Sequence, residues 1–191
     1  DRSASRDAVR GEMQVSADQV VILFSGKVSH RKGVDLLVEA ARRMPETTRS
    51  RLVLVFLGDG ALRAELEQRV AETPAVRTVF LGFQNQRQLS RYYHAADVLV
   101  LPSRQSETWG LVVNEALHHG VPCVVWDKVG CGPDLMEHGR TGHVFLTGSA
   151  YALAGALENA IALCGREDVR QACRAKVAGY STERAAAGIA D

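Results

Sequence analysis

The feature that most constrains the fold is a regular alternation between short apolar runs and segments of helical periodicity. The first run, residues 20–25, is rich in β-branched residues and ends at Gly26, as a buried strand does. Residues 33–44 then carry apolar side chains at helical spacing. The two patterns recur, and they predict further strands at residues 52–57, 76–81, 97–101, 121–126 and 143–146. Such alternation predicts right-handed crossovers between parallel strands.

We therefore predict an α/β fold, a Rossmann-like, doubly wound sheet of about six parallel strands with helices on both faces. We expect residues 1–18 to be a linker or N-terminal extension and residues 19–178 to form the domain. In sheets of this kind, ligands bind outside the carboxyl ends of the strands. The loops that follow the strands are therefore the places to search for a site.

Composition and charge narrow the class of protein. Of the 191 residues, 46% are hydrophobic and 24% are charged, which is ordinary for a globular protein. The formal net charge of +1 provides no general attraction to nucleic acid, and we expect no nucleic-acid partner. The sequence contains no run of 18 apolar residues, so we expect no transmembrane helix. Without an initiator Met or an apolar leader, the chain reads as a fragment of a longer protein.

The four cysteines form no C-x-x-C pair and no zinc-binding spacing. This pattern is typical of reduced, structural thiols, and we expect a cytoplasmic protein.

The first candidate loop, residues 26–33, follows the first strand and carries three cations within six residues, Lys27, Arg31 and Lys32. It directly precedes a helix N-terminus, where free N–H groups favour phosphate. A solvated basic turn is an equal alternative. Val28 follows Lys27 where a P-loop needs Ser or Thr, and no G-x-G-x-x-G is present. Neither a P-loop nor a dinucleotide fingerprint is therefore predicted.

The second candidate segment, residues 102–116, follows a buried strand and opens a helix. Glu107 lies in the loop and Glu115 about one turn inside the helix, with seven residues between them. Gly110 allows close backbone approach, and the N–H groups of Leu111 and Val112 are unpaired at a helix start. Together these groups can grip a diphosphate and the hydroxyls on either side of it.

The alternative interpretation of this segment is purely structural: Glu107 caps the helix and Glu115 is exposed to solvent. Two features speak against it. The helix is apolar around most of its surface, so a partly buried Glu115 would need partners. The loop is also long for a compact unit, and it lies where ligands bind.

These segments resemble the C-terminal, donor-binding domain of GT-B glycosyltransferases, specifically of glycosyltransferase family 4. The similarity spans roughly residues 20–163. The segments similar to family motifs occur in the family's order: residues 26–33 (G-R-L-x-x-x-K-G), 57–60 (G-x-G), 80–83 (F-x-G), 96–103 (A-D-V-x-V-x-P-S), 107–115 (E-x7-E), 120–125 (G-x-P-V-V) and 139–142 (G-x-T-G). Residues 180–184 look like the start of the family's final helix.

The resemblance implies a retaining glycosyltransferase that moves a hexosyl group from a UDP- or GDP-sugar to an acceptor hydroxyl without a metal cofactor. Residues 179–191 would then form a helix that crosses back to an N-terminal acceptor-binding domain outside this chain. Any peripheral membrane association would come through that domain. The fragment alone would bind the donor weakly and transfer nothing. The alternatives are a non-catalytic nucleotide- or partner-binding module and another GT-B enzyme, such as a sugar-nucleotide epimerase or a glycogen-synthase relative.

The resemblance also implies roles for individual residues. Lys27 and Lys32, in the loop that begins at Gly26, would contact the donor diphosphate, and both would stabilise negative charge on the leaving group. Glu107 would hold hydroxyls of the donor sugar, so that Lys32 and Glu107 are the expected catalytic pair. Glu115 would hold the ribose hydroxyls. The remaining donor-binding residues would be the helix-start amides of Gly110, Leu111 and Val112, and Phe83 and Gln84 near the base.

Overall fold

The computed structural model describes residues 2–105 and 107–180. It contains one six-stranded parallel sheet in the order β3-β2-β1-β4-β5-β6. The strands are β1 Val20–Ser25, β2 Leu52–Leu57, β3 Arg77–Gly82, β4 Val98–Leu101, β5 Cys123–Trp126 and β6 Gly142–Phe145. This is the Rossmann-like doubly wound arrangement, and the predicted fold class is confirmed.

Helices cover both faces of the sheet. They are α1 Arg2–Glu12, α2 Val34–Arg43, α3 Glu46–Arg49, α4 Arg63–Glu72, α5 Gln86–Ala95, α6 Leu111–His118, α7 Gly132–Leu135, α8 Ala150–Ile161 and α9 Glu167–Val177. Two 3-10 turns lie at His30–Lys32 and Ala178–Tyr180. Helix α2 packs on α8, α1 on α5 and α6 on α9. No helix within the described residues is long and apolar enough to cross a membrane.

The four central strands explain the apolar runs in the sequence. Every residue of β1, β2, β4 and β5 is buried, whereas the edge strands β3 and β6 are partly exposed. A strand with helices above and below and neighbours on both sides meets no water, so both of its faces are apolar. The core therefore consists of the sheet and the inward faces of the helices that pack on it.

The N-terminal segment differs from the prediction of a linker or extension over residues 1–18. Residues 2–12 form helix α1, and Val9 and Arg10 are only 1% and 5% exposed. The Arg10 guanidinium donates to Asp97 Oδ2 at 3.1 Å and to the backbone oxygen of Ala95. Asp97 also accepts from Arg6 at 2.6 Å. The helix docks chiefly through arginines, which is why an apolar pattern did not reveal it.

At the other end, Ala178–Tyr180 forms a 3-10 turn. The predicted crossing helix over residues 179–191 falls almost wholly on residues 181–191, which lie outside the described residues, and it stays a prediction.

The strand order reverses between β1 and β4, and the loops that follow these two strands are packed together. Gly33 has a φ of 67°, and a Cβ added there would lie 2.0 Å from the backbone oxygen of Pro102. Next to this contact the Arg104 amide donates to the Arg31 oxygen at 2.9 Å. The Arg104 guanidinium also forms a bidentate pair with Asp35, with distances of 2.6 and 3.0 Å. Both candidate loops are therefore held at one place on the carboxyl edge.

The close approach at Gly33 predicts a specific loss of stability. Gly33→Ala adds a methyl group into the Pro102 carbonyl and should lower the free energy of unfolding by about 4 kcal/mol or more. Gly139→Ala is the matched control, because Gly139 has a similar φ of 75° and nothing within 4 Å of the added Cβ. The control should lose only the roughly 1–2 kcal/mol of left-handed strain. Urea unfolding measures both, and equal losses would contradict the packing argument.

Candidate functional site

A cavity of about 330 Å³ opens at the carboxyl ends of β1, β2 and β3. Four of the predicted donor-binding residues line it, namely Gly26, Lys27, Phe83 and Gln84, together with Ser25, Leu57, Gly58, Asp59 and Leu89. The Phe83 side chain is 83% exposed, and Lys27 is exposed as well. The cavity thus offers an aromatic face, an amide and a cation that are free to meet a ligand.

Lys32 and Glu107, predicted as a catalytic pair from separate loops, form an ion pair. The Lys32 ammonium lies 2.5 Å from Glu107 Oε2, and the two side chains are only 18% and 15% exposed. The Ser103 hydroxyl donates to the same Glu107 oxygen at 2.9 Å. Glu107 Oε1 has no hydrogen-bond partner among residues 2–105 and 107–180. One carboxylate oxygen therefore accepts two hydrogen bonds from the protein, and the other has none within the described residues.

Glu107 does not cap the following helix. The N-cap of α6 is Gly110, with a φ of 94° and no side-chain hydrogen bond. The amides of Leu111 and Val112 donate to no backbone oxygen in the described part of the chain. Within the described residues, α6 therefore begins with unpaired N–H groups, close to the loop that carries Glu107. Unpaired N–H groups at a helix start are a common binding site for anions.

The segment from Glu107 to Gly110 is held from the far side by the loop after β5. The Gly130 amide donates to the backbone oxygen of Glu107 at 3.1 Å, and the Cys131 amide donates to the backbone oxygen of Trp109 at 3.0 Å. A Cβ at Gly130 would lie 1.8 Å from the Thr108 oxygen. Glycine at position 130 therefore lets the two loops touch.

Glu115, predicted to bind the ribose, also has only one of its two carboxylate oxygens bonded within the described residues. The Tyr93 hydroxyl donates to Glu115 Oε2 at 2.6 Å. Oε1 of Glu115 has no hydrogen-bond partner in the described residues. Tyr93 is 1% exposed; its burial, and then its bond to Glu115, raise its pKa well above the ordinary value. Glu115 is thus not a freely solvated side chain.

His119 supports the Glu115 turn. Its Nδ1 lies 2.7 Å from the backbone oxygen of Glu115, and its Nε2 lies 2.8 Å from the Ser90 hydroxyl. The imidazole stacks on the Tyr93 ring with the centroids 5.2 Å apart. Burial lowers the pKa of His119, which favours the neutral ring.

Sequence reasoning missed Tyr93, Ser103, Arg104 and His119. Ser103 is the last residue of the segment that resembles A-D-V-x-V-x-P-S, and this motif was the signal in the sequence that could have identified it. Tyr93 and Arg104 gain their roles from contacts 22 and 69 positions away, at Glu115 and Asp35, and a local pattern carries no trace of such partners. His119 contacts the residue four positions before it at the end of α6, and only the fold adds its contacts with Ser90 and Tyr93.

The described residues contain no group of three or more His, Cys, Asp or Glu side chains that could hold a metal ion. That no metal is required stays a prediction.

Tyr93 gives the site a testable pH signature. Its pKa is higher in the folded chain than the value near 10 of an unfolded chain. Above pH 10 the unfolded state therefore binds fewer protons than the folded state, and stability falls as pH rises. The parent should lose up to about 1.4 kcal/mol per pH unit more than Tyr93→Phe does. Urea unfolding at pH 8 and pH 11 measures this, with Tyr92→Phe as the control that keeps the parent's slope.

Comparisons with known proteins agree with this geometry. Residues 5–176 match the family model described as glycosyl transferases group 1. The chain is 34% identical over 134 residues to the sulfoquinovosyl transferase SQD2 of Arabidopsis thaliana, covering 69% of this chain and 24% of that protein. It is 27% identical over 191 residues to the lipopolysaccharide 1,2-N-acetylglucosaminetransferase of Salmonella typhimurium, covering 95% and 50%. The chain thus spans half or less of the length of these relatives.

Solved structures share the fold. HepE of Anabaena, crystallised with UDP and glucose, superposes with a TM-score of 0.81 at 22% identity, covering 98% of this chain and 52% of HepE. The C-terminal domain of the group 1 glycosyl transferase LpcC from Francisella tularensis gives a TM-score of 0.76 at 21% identity, with 93% of each chain covered. With the family model matching nearly the whole described chain, this protein belongs to the glycosyl transferases group 1 family.

Proposed function

We propose that this chain is the donor-binding domain of a retaining glycosyltransferase of family 4, which transfers a hexosyl group from a UDP-sugar to an acceptor hydroxyl. One observation carries the proposal. Glu107 and Glu115, on one loop and the helix that follows it, each have one oxygen bonded to protein donors and another oxygen with no partner among the described residues. Two half-held carboxylates on either side of free helix amides suit a ligand with hydroxyls on both sides of a diphosphate.

The diphosphate would lie between Lys32 and the start of α6. An ammonium group has three N–H donors, and Glu107 accepts only one of them. Lys32 can therefore bind phosphate oxygens while it remains paired, and the pair is already in place before the donor arrives. The amides of Leu111 and Val112 supply neutral donors to the same phosphates, and exposed Lys27 adds charge from the cavity side.

The nucleoside would occupy the remaining space, with Glu115 Oε1 at the ribose hydroxyls and the base in the 330 Å³ cavity. Gln84 donates its side-chain N–H to the Leu81 oxygen at 2.9 Å, which leaves its amide oxygen to accept from a base. Phe83 offers an exposed ring face for stacking. We favour uracil over guanine because HepE, which shares this fold, was crystallised with UDP.

In the proposed reaction the bond between the sugar C1 and the β-phosphate oxygen breaks, and the acceptor oxygen bonds to C1 on the same face. The acceptor proton passes to the leaving phosphate. Lys32 and the α6 amides stabilise the charge that develops on that phosphate, which is where pre-placed donors lower a barrier most. Glu107 holds hydroxyls of the sugar in place during the transfer. The route uses no metal ion and no side-chain nucleophile.

The acceptor would bind to a second domain outside this chain, so the 191-residue chain would bind the donor and transfer nothing. Peripheral contact with a membrane would also come from that domain. We place the reaction in the cytoplasm, which the four free cysteines support.

Nucleotide binding by the chain is the first test. UDP, UDP-glucose, GDP, ADP and NAD are compared by thermal shift. At 100 times Kd a ligand stabilises by about 2.7 kcal/mol, or roughly 5–10 °C for a domain of this size. We expect this shift with UDP and UDP-glucose.

Glu115→Gln should lower UDP affinity by about tenfold or more, because it removes the charge from a hydrogen-bond acceptor. The matched control is Glu158→Gln, an exposed glutamate on α8, which should bind UDP as the parent does. A shift with NAD alone, or an unchanged UDP affinity in Glu115→Gln, would contradict the assigned site.

Stereochemistry tests the reaction in the full-length polypeptide. An α-linked UDP-sugar should give an α-linked product, read by the anomeric coupling in NMR, and a β-linked product would exclude retention. Lys32→Met should lower kcat by about 100-fold, as loss of a transition-state donor does. Addition of EDTA should leave the parent's rate unchanged. Loss of activity with EDTA, followed by recovery when a divalent ion is added, would exclude the metal-free route.

A further inference from the structure

We propose that Tyr93 is a positioning residue for ribose recognition: its hydroxyl fixes one oxygen of Glu115 so that the other meets the ribose hydroxyls of the donor. The inference rests on the proposed function and adds to it a residue from a different helix, α5, which touches the ligand only through Glu115.

The Tyr93 ring is a rigid support. It is 1% exposed, and it packs against the His119 ring at a centroid distance of 5.2 Å and an interplanar angle of 23°. His119 is in turn held by Ser90 on α5 and by the backbone oxygen of Glu115 on α6. Because the ring cannot shift, the position of its hydroxyl is set by the core. A glutamate has three side-chain torsions, and a fixed donor at Oε2 removes most of that freedom.

The hydroxyl itself is not needed for packing, since phenylalanine would fill the same volume. A buried hydroxyl without a partner is destabilising, so its presence here is explained by the carboxylate it reaches. The 2.6 Å contact is short, as expected for a donor to a charged oxygen. It leaves Glu115 Oε1 without a partner among the described residues, facing away from the one donor that holds the carboxylate.

Tyr93 also connects the two halves of the site. Ser25, the last residue of β1, lines the cavity assigned to the base and acts to lower the pKa that burial and Glu115 raise at Tyr93. Tyr93 itself donates to Glu115 on α6, the carboxylate assigned to the ribose. A change at Tyr93 should therefore alter binding at the ribose, which in the proposed arrangement lies between base and diphosphate.

The test compares two nucleotides that differ only at the ribose. Dissociation constants for UDP and 2′,3′-dideoxy-UDP are measured by calorimetry for the 191-residue chain. The parent should bind UDP at least about tenfold more tightly. Tyr93→Phe should weaken UDP about tenfold and dideoxy-UDP less than about twofold. Tyr92→Phe, the buried neighbour on the same helix, should change neither constant.

The outcomes separate this inference from the proposed function. Equal weakening of both nucleotides by Tyr93→Phe would show a structural role and overturn the inference, as would an unchanged UDP affinity. A parent that binds both nucleotides equally would overturn the assignment of Glu115 to ribose, and Tyr93 with it. A parent that binds no nucleotide would refute the proposed function itself, and the positioning role would fall with it.

A second measurement needs no substitution at Tyr93. In protein labelled with ¹³C at tyrosine Cζ, the four tyrosines give four resonances. Tyr92→Phe, Tyr151→Phe and Tyr180→Phe assign three of them and leave Tyr93 by elimination. UDP should shift the Tyr93 resonance and dideoxy-UDP should not. A Tyr93 resonance that ignores UDP, or responds equally to both nucleotides, would overturn the inference.

Discussion

The contact between Gly33 and Pro102 is the constraint on which the rest of the site depends. At the switch point β1 and β4 are neighbours, so the loops after them start about one strand spacing apart. The backbone of the two loops can meet only because position 33 has no Cβ and has a positive φ. Arg104 then fastens the pair through Arg31 and Asp35. Lys32 precedes Gly33 by one residue, and this is what brings its ammonium to Glu107 from a different loop.

The electrostatics of the site follow from partial burial. A lysine and a glutamate that are each less than a fifth exposed interact more strongly than a surface pair, because little water screens them. A fully enclosed pair would have no open donors for a ligand. At the observed depth Lys32 is paired with Glu107, and within the described residues its other N–H donors and Glu107 Oε1 have no partner. The same balance recurs at Glu115, where a buried tyrosine takes the place of lysine.

Lys32, Glu107 and Glu115, each bonded to the protein through only part of its polar group, make the site preorganised. Each of these three residues has a partner that fixes the direction of the side chain before binding, so less conformational entropy is lost when the ligand arrives. The supporting groups are a side chain from α5, a side chain from the loop after β4 and backbone amides from the loop after β5. The family membership and the fold are consistent with this arrangement, and the chain spans half or less of the length of the relatives named above.

The alternation of strands and helices is predictable from the sequence, because buried parallel strands must be apolar on both faces and their helices must be amphipathic. The sequence also shows which loops carry charge and glycine, and it thereby identifies Lys32, Glu107, Gly110 and Glu115 as candidates. Helix α1 was not predicted, because its contacts with Asp97 and nearby backbone oxygens are made by arginines, and Val9 and Arg10 are its only buried residues. The pairing of Lys32 with Glu107, and of Tyr93 with Glu115, is set by the tertiary fold. Those partners lie 75 and 22 residues apart, and a spacing along the chain has no physical bearing on contacts made across a fold.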